Sequence, residues 1–413
     1  MAMQTVSLFD KALKDIYIGP IRDQLNRSSV IHDLLRKESE SILGGRKARI
    51  PILVAGSSGT GSRSETGILP TAGYQDIQEA LIPLKYHFGR LQISDGVMEA
   101  SRTDRMAFKN AFTVETEGLV KDLKENIGRQ TFNDGTPTLA LLSATTATTT
   151  VPFELTRHRR PFRNGQIIDI VDAAQTTFIV QARTISAVTY TSDTTGTFVI
   201  TGAAPVGEAI GDRIVLTETM LPGSPPVYYE ITGLSGAIGG DGAYGLTTYE
   251  GLDGSAYPVW QSKVINGGAI NSGDAADETW QTACDAVEQD SGETIDCIVT
   301  TYGVRKIYLN TLEGDKRFMD QKLTGGWSAV AFEGGSGSIP IYVEKHCTPA
   351  TAYGLYKNGW AVYRMADFGW LDKDGSVLSR VSNQAVYEAT LRYYAEIGCS
   401  KRNANFRVHS LNE

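Results

Sequence analysis

Nothing in this sequence stays apolar for long. No run approaches the ~18 residues a membrane-spanning helix needs. The opening "MAMQTVSLFDKALKDIYIGP" has neither the apolar core nor the cleavage site of a secretory leader. The chain is therefore expected to stay in the cytoplasm of the cell that makes it, with no membrane partner. Cysteine is scarce: Cys284, Cys297, Cys347 and Cys399 are the four present, and none are at CxxC spacing. Neither a zinc site nor a redox motif is signalled, and reduced thiols packed as small hydrophobes are expected. Positive charge is outweighed, with 39 Lys and Arg against 47 Asp and Glu and a net charge of -8. A freestanding duplex binder is usually basic, so tight direct DNA binding is disfavoured, whereas a wall around DNA is not. Lysine is missing altogether between Lys124 and Lys263. That block, rich in Thr, Gly and Val, reads as a segment with its own composition.

Catalytic motifs are lacking too. No glycine-rich stretch ends in Gly-Lys-Ser/Thr, so there is no P-loop. HExxH and the Gly-x-Ser-x-Gly elbow are absent, and no dinucleotide fingerprint is framed by a strand and a helix. "GSSGTGS", Gly56 to Ser62, has no helical pattern directly after it to build a phosphate cradle. "GGSGSIPIYVEKHCTPATAYGLYKNGWAVYRM", Gly334 to Met365, looks at first like a binding site, with His346 beside Cys347. Neighbours on a strand point to opposite faces, so the two cannot easily share a reaction centre. "DKDG", Asp372 to Gly375, echoes a calcium loop but lacks the further ligands and closing glutamate. "RHRRPFR", Arg157 to Arg163, is the sharpest basic cluster and reads as a solvated linker entering the β segment rather than a contact to a nucleic acid or an acidic neighbour. The five histidines are scattered. No catalytic residue, metal ligand or cofactor is expected, and no enzyme.

What is present is an order of elements. Met1 to Gly45 is amphipathic and predicts short helices in an arm with little core of its own. In Arg46 to Ser94, Ile50, Ile52 and Val54 alternate as in a strand. On the return Leu84, Tyr86 and Phe88 alternate, then Leu91 and Ile93, which suggests a bulge at Gly89. Between them lies the Gly/Ser/Thr-rich stretch Ala55 to Gly73. Such long connections are usually functional, and an isolated two-stranded arm is marginal in water, so it needs a neighbour to lie on. Gly96 to Gly128 is free of proline, with Phe108, Phe112, Leu119, Leu123 and Ile127 on one ridge and Lys109, Glu117, Lys121, Asp122 and Lys124 mostly off it. It predicts a long helix.

From Arg163 to about Leu234, "NGQIIDIV", "TFIVQARTISAVTYT", "GTFVITG", "GDRIVLTET" and "PPVYYEITG" predict short strands of a small β-barrel or sandwich. "LSGAIGGDGAYG" then reads as an exposed, flexible link. The remainder alternates. "DAADETWQTACDAVEQDSG" is a helix with Asp274 as expected N-cap. "TIDCIVTT" is a buried strand, and "YGVRKIYLNTLEG" is a helix ended by Gly314. "IPIYVEKH" is a strand, and "YGLYKNGWAVYRM" is a hairpin about Asn358-Gly359. In "AVYEATLRYYAEIG" every second residue from Ala385 to Ile397 is apolar, which makes a long strand. It is expected to turn near Gly398 and return through "NFRVHSL".

Arm, long two-stranded loop, long helix, β segment, α/β domain and terminal strand, in that order, resemble the major capsid protein of tailed bacteriophages, the Hong Kong ninety-seven fold. "LIPLKYHFGRLQISDGVMEAS" is similar to the family's return strand running into its spine helix. "IDCIVTTYGVRKIYLNTLEGDKRF" resembles its axial strand and helix. "GGSGSIPIYVEKHCTPATAYGLYKNGWAVYRM" resembles its glycine turn, strand and tyrosine hairpin, with Glu344 near where an aspartate is common. "AVYEATLRYYAEIGCSKRNANFRV" is similar to its closing peripheral strands. The resemblance covers most of the chain outside Arg163 to about Tyr257.

The fold class it implies is α+β. The expected parts are an arm (1–45), an extended loop (46–95), a spine helix and peripheral domain (96–162), an inserted β domain (163–257), an axial domain (258–375) and a return to the peripheral domain (376–413). The implied function is a structural subunit that self-assembles, through hexamers and pentamers, into an icosahedral head around phage double-stranded DNA, without sequence-specific binding. It would form in the host cytoplasm and end in the virion. Contacts between copies would involve Arg46, Lys47, Arg49, Arg63, Glu65, Lys85, Arg90, Glu99 and Arg102.

The chain begins almost at the arm, so no fused scaffolding segment is expected. A separate scaffolding protein, a portal and a decoration protein would be partners. Some relatives cross-link a loop lysine to an asparagine. Ala55 to Gly73 has no lysine, only Lys47 and Lys85 flanking it, so no such link is expected. The inserted domain is expected to project outward or brace neighbours. The alternatives are an encapsulin-like nanocompartment shell and, in another class, a secreted carbohydrate-binding β module; a hydrolase is disfavoured by the missing motifs.

Overall fold

The computed structural model describes residues 35–38, 47–95, 105–146, 148–158, 160–313, 320–322, 328–335, 337–372, 377–381 and 385–413. The predicted arm helices, Phe108, Phe112, the cap at Gly314 and most of the Asp372–Gly375 turn lie outside the described residues or side chains. Arg36–Glu38 of the arm is a short strand. The described chain divides into two compact units, one formed by 1–46, 83–129 and 362–396 and the other by 47–82, 130–361 and 397–413. Among the described residues no helix is long and apolar enough to cross a membrane.

The first unit is built on the predicted long strand, Val386–Cys399. Its period-two pattern buries Ala389, Leu391, Tyr393 and Ala395 on one face. Lys85–Ser94 runs antiparallel beside it from Val386↔Ser94 to Ala395↔Lys85 without a register shift, so the expected bulge at Gly89 is absent. The inward face differs from the expected one: His87 and Leu91 point inward, while Tyr86 and Phe88 point outward. Gly89 serves close packing instead. A Cβ there would meet Leu119 Cδ1 of the helix Arg105–Thr131 at 3.2 Å. That helix buries Thr116, Val120, Leu123 and Ile127, three and four residues apart. Lys124, expected off the ridge, is buried beside them, and burial lowers its pKa to about 8.

In the second unit a mixed seven-stranded sheet takes, in order, Lys263–Asn266, Phe406–His409, Ala352–Leu355, Cys297–Thr300, Gly337–Val343, Ser328–Gly334 and Asp320–Lys322. The helices Asp277–Ser291 and Tyr302–Glu313 contribute Trp280, Val287, Val304 and Tyr308 to its core. Asp274 is not the N-cap; Ala276 holds that position, and the Asp274 carboxylate accepts from Asn412 instead.

Ala352–Leu355 and Trp360–Trp370 belong to different sheets, so the expected hairpin at Asn358-Gly359 does not form. The buried Asn405 redirects the chain. Its Oδ1 accepts from Tyr356 N at 3.1 Å and Trp360 Nε1 at 2.7 Å, while its Nδ2 donates to the Lys401 and Arg402 carbonyls. Phe406–His409 likewise joins the seven-stranded sheet, parallel to Lys263–Asn266, instead of returning along Val386–Cys399.

The β segment closes into a six-stranded barrel of Thr138–Leu142, Thr150–Leu155, Ile167–Val171, Phe178–Tyr190, Thr195–Ile200 and Arg213–Leu216. It starts earlier than the expected Arg163, because Arg213–Leu216 reaches closure only by pairing with both Ile167–Val171 and Thr138–Leu142. Phe153, Phe162 and Phe198 fill its interior. The glycine-rich stretch read as an exposed link is packed: Leu234, Ala237 and Ile238 are buried. Arg402 donates to the carbonyls of Ala237 and Leu246, and Tyr244 stacks on His409 with ring centroids 4.0 Å apart. Sequence alone could not show that distant arginines satisfy this backbone.

Candidate functional site

The candidate chemical residues of the sequence serve the packing of the fold. Among the described residues no three His, Cys, Asp or Glu side chains come together as a metal site would require. His346 and Cys347 lie in a turn closed by Cys347 N to Glu344 O, beyond the strand Gly337–Val343, and both are buried. Burial raises the Cys347 thiol pKa well above its ordinary value. The basic cluster is exposed at His158, Arg160 and Arg163 but tied to neighbours, Glu413 and Asp193 among them. Arg157 donates to the carbonyls of Phe132 and His346, His158 contacts Glu413 at 2.6 Å, and Arg160 lies over the Tyr190 ring.

The loop is different. Lys47–Ala55 and Asp76–Pro83 form a two-stranded sheet of their own. Their base is anchored: Ala48, Ala80 and Ile82 are buried, and Leu81 N donates to Glu250 O at 2.6 Å. Glu250 also accepts from Cys399 N, within the same unit. Farther out, Gly59 and Gly73 face each other. A Cβ on Gly73 would lie 2.8 Å from Gly59 N, so the neck closes only with glycine at this position. At the tip Arg63 Nε donates to Ile68 O at 3.1 Å and Gly67 N to Ser64 O at 2.9 Å, which gives the turn a defined shape. This braced tip presents Ile68 at 90% and Leu69 at 82% exposure, and Leu53, Tyr74 and Ile77 are exposed along the arm.

The first unit carries an exposed aromatic face. Tyr394 stands opposite Tyr86 and Arg392 opposite Phe88. Both aromatic rings meet Tyr394 edge-on, at 4.9 and 5.6 Å, and the Arg392 guanidinium lies over Tyr394. Tyr86 is 48% and Phe88 56% exposed.

The expected charged contact residues fall around these two surfaces. Lys47 and Glu65 are exposed on the loop, and Lys85 is half-buried. Arg49 pairs with Glu79 at 3.2 Å across the loop, Arg63 braces the tip, and Arg90 pairs with Glu388. Arg46, Glu99 and Arg102 lie outside the described residues. The residues passed over in the sequence are the apolar ones, Ile68 and Leu69 above all. Their signal was an Ile-Leu pair inside a Gly/Ser/Thr-rich stretch, with no periodic partner to bury it.

No protein-family model and no curated protein sequence matches the chain. Among solved structures, the capsid asymmetric unit of cyanophage A-1(L) is similar at 14% identity, over 94% of this chain and 95% of that one, with a TM-score of 0.53. The fold is that of a phage capsid subunit. Two further similar structures are the SrpI encapsulin complex of Synechococcus elongatus PCC 7942, at 7% identity over 92% and 87% of the chains with a TM-score of 0.44, and a virus-like particle from Pyrococcus furiosus, at 9% over 97% and 99% with a TM-score of 0.40.

Proposed function

We propose that this chain is a major capsid subunit, a structural protein that assembles with its own copies into a shell around phage double-stranded DNA. The observation that carries it is the loop, anchored at its base and fully exposed at an aliphatic tip. Burying Ile68 and Leu69 contributes about 1.5–3 kcal/mol each, a contact too weak for a lone pair of subunits but additive around a closed ring of copies. Donor and receiving surfaces that differ generate head-to-tail rings rather than simple dimers.

In this reading Arg105–Thr131 is the spine helix of a peripheral domain. The seven-stranded sheet with its two helices is the axial domain, and the barrel is an added domain that braces neighbours. The charged candidates Lys47, Arg49, Arg63, Glu65, Lys85 and Arg90 rim the contacts, a separate scaffolding protein guides assembly, and the subunit ends in the virion.

The test is electron microscopy of the purified chain and of an Ile68→Asp/Leu69→Asp double variant, with and without the scaffold. The variant should melt like the parent yet form no shells, rings or tubes. A parent that stays monomeric with scaffold present, or a variant that assembles normally, overturns the proposal. Protein cargo in place of DNA inside purified particles would turn it toward a nanocompartment.

A further inference from the structure

The barrel carries a third exposed apolar surface. After its last strand the chain forms a small hairpin, Met220–Leu221 against Val227–Tyr228. Its two faces differ. Met220 and Tyr228 pack inward with Val171, Val215 and Phe178 of the barrel. Leu221 stands directly opposite Val227, on the other face. Tyr229 lies two residues beyond Val227, its amide donating to Thr219 O at 3.0 Å, so it falls on that outer face as well. Leu221 is 56% exposed, Val227 48% and Tyr229 47%. They form one apolar stripe.

Thr219 to Tyr229 contains no charged residue, and its turn is Pro222-Gly223-Ser224-Pro225-Pro226. Proline has no N–H to donate, so the tip cannot recruit a partner strand through backbone pairing. Contact must be made by side chains. A neutral stripe offers nothing to a charged partner and meets no repulsion from its own copy, so self-contact about a two-fold axis suits it. About half of three side chains of this size exposes roughly 250–300 Å² per copy, well short of the ~800 Å² per partner of a stable free complex. The stripe therefore cannot dimerise subunits in solution, but it can join copies already held side by side by other contacts.

We propose that Leu221, Val227 and Tyr229 form a self-complementary contact between the barrels of two copies in the assembled shell. This rests on the shell reading above. It makes the bracing role of the barrel specific, as a clasp that closes after neighbouring subunits are in place.

The test uses single cysteine variants of the full chain, Leu221→Cys, Val227→Cys and Tyr229→Cys, oxidised mildly as free subunits and as particles. The four native cysteines are buried and give little background. Covalent dimers should form at one or more of these positions in particles, at least tenfold above free subunits at equal concentration. A Leu221→Asp/Val227→Asp variant should assemble but dissociate at a lower temperature or denaturant concentration. Particles without dimers at any of the three positions overturn the contact, as do dimers equally abundant in free subunits. Loss in the aspartate variant of a co-purifying decoration protein, without dimers in the cysteine series, reassigns the stripe to that partner. Failure of the unmodified chain to assemble with its scaffold overturns the shell reading and the clasp with it, an outcome distinct from intact particles lacking dimers.

Discussion

Acid should weaken the first unit through one side chain, His87. Its ring is buried on the inner face of Lys85–Ser94, with the Tyr393 ring centroid at 6.3 Å and no hydrogen-bond partner for Nε2. Burial, then the Lys85 and Arg129 cations, lower its pKa from 6.5 to about 4. The fold thus favours the neutral ring. This preference is fully satisfied above pH 6.5, and stability is lost as pH falls from there to about 4. At about 1.4 kcal/mol per tenfold change in proton affinity, the loss is about 2 kcal/mol at pH 5 and about 3 kcal/mol once the folded-state ring is protonated. A 2 kcal/mol loss lowers the melting temperature by roughly 4–8 °C for a unit of this size.

Thermal melts of the parent and of His87→Gln from pH 7.5 to 4.5 read this out. The carboxylates of Asp172, Glu293 and Glu413, whose pKa values hydrogen bonds hold below the usual range, also lose stabilisation in acid. They do so in both proteins, so the difference between the two curves isolates His87. The variant should lose markedly less. Parallel curves would refute the assignment, because the titrating group would then lie elsewhere.

Three other outcomes are expected. Asn405→Ala strands the Tyr356 amide and the Trp360 indole N–H in the core. At about 1–3 kcal/mol for each unsatisfied donor, it should destabilise by roughly 2–6 kcal/mol in denaturant melts, and a change below about 1 kcal/mol would show that the chain redirects without it. Burial raises the Cys284 and Cys297 thiols to about 12, with Cys347 and Cys399 shifted upward as well. A disulfide reagent at pH 8 should therefore count no reactive thiols until the chain unfolds, and a rapid native reaction would contradict that burial. Boiled particles should run as one intact subunit band, since residues 55–73 carry no lysine; a covalent ladder would count against this.

Local pattern alone carried much of this protein. The period-two run of Val386–Cys399, the helical spacing of Asp277–Ser291 and Tyr302–Glu313, and the lysine-free β segment were all legible, because pattern reports which face an element buries. The order of those elements was enough for the resemblance to a capsid subunit. Partner choice was not legible. Trp360–Trp370 looked like one arm of a hairpin because Asn358-Gly359 favours a turn, yet Asn405, far along the chain, sends it to another sheet. The glycine-rich stretch looked like a link because nothing nearby announced that Arg402 and Tyr244–His409 stacking would hold it. Barrel closure needed a strand placed before the expected start at Arg163, because closure depends on pairing and not on where turn signals begin. At the candidate surface the sequence placed the long loop and its charges, while only the tertiary structure separated the buried Ala48, Ala80 and Ile82 from the exposed Ile68 and Leu69. Exposure is a property of what packs nearby, and those neighbours come from elsewhere in the chain.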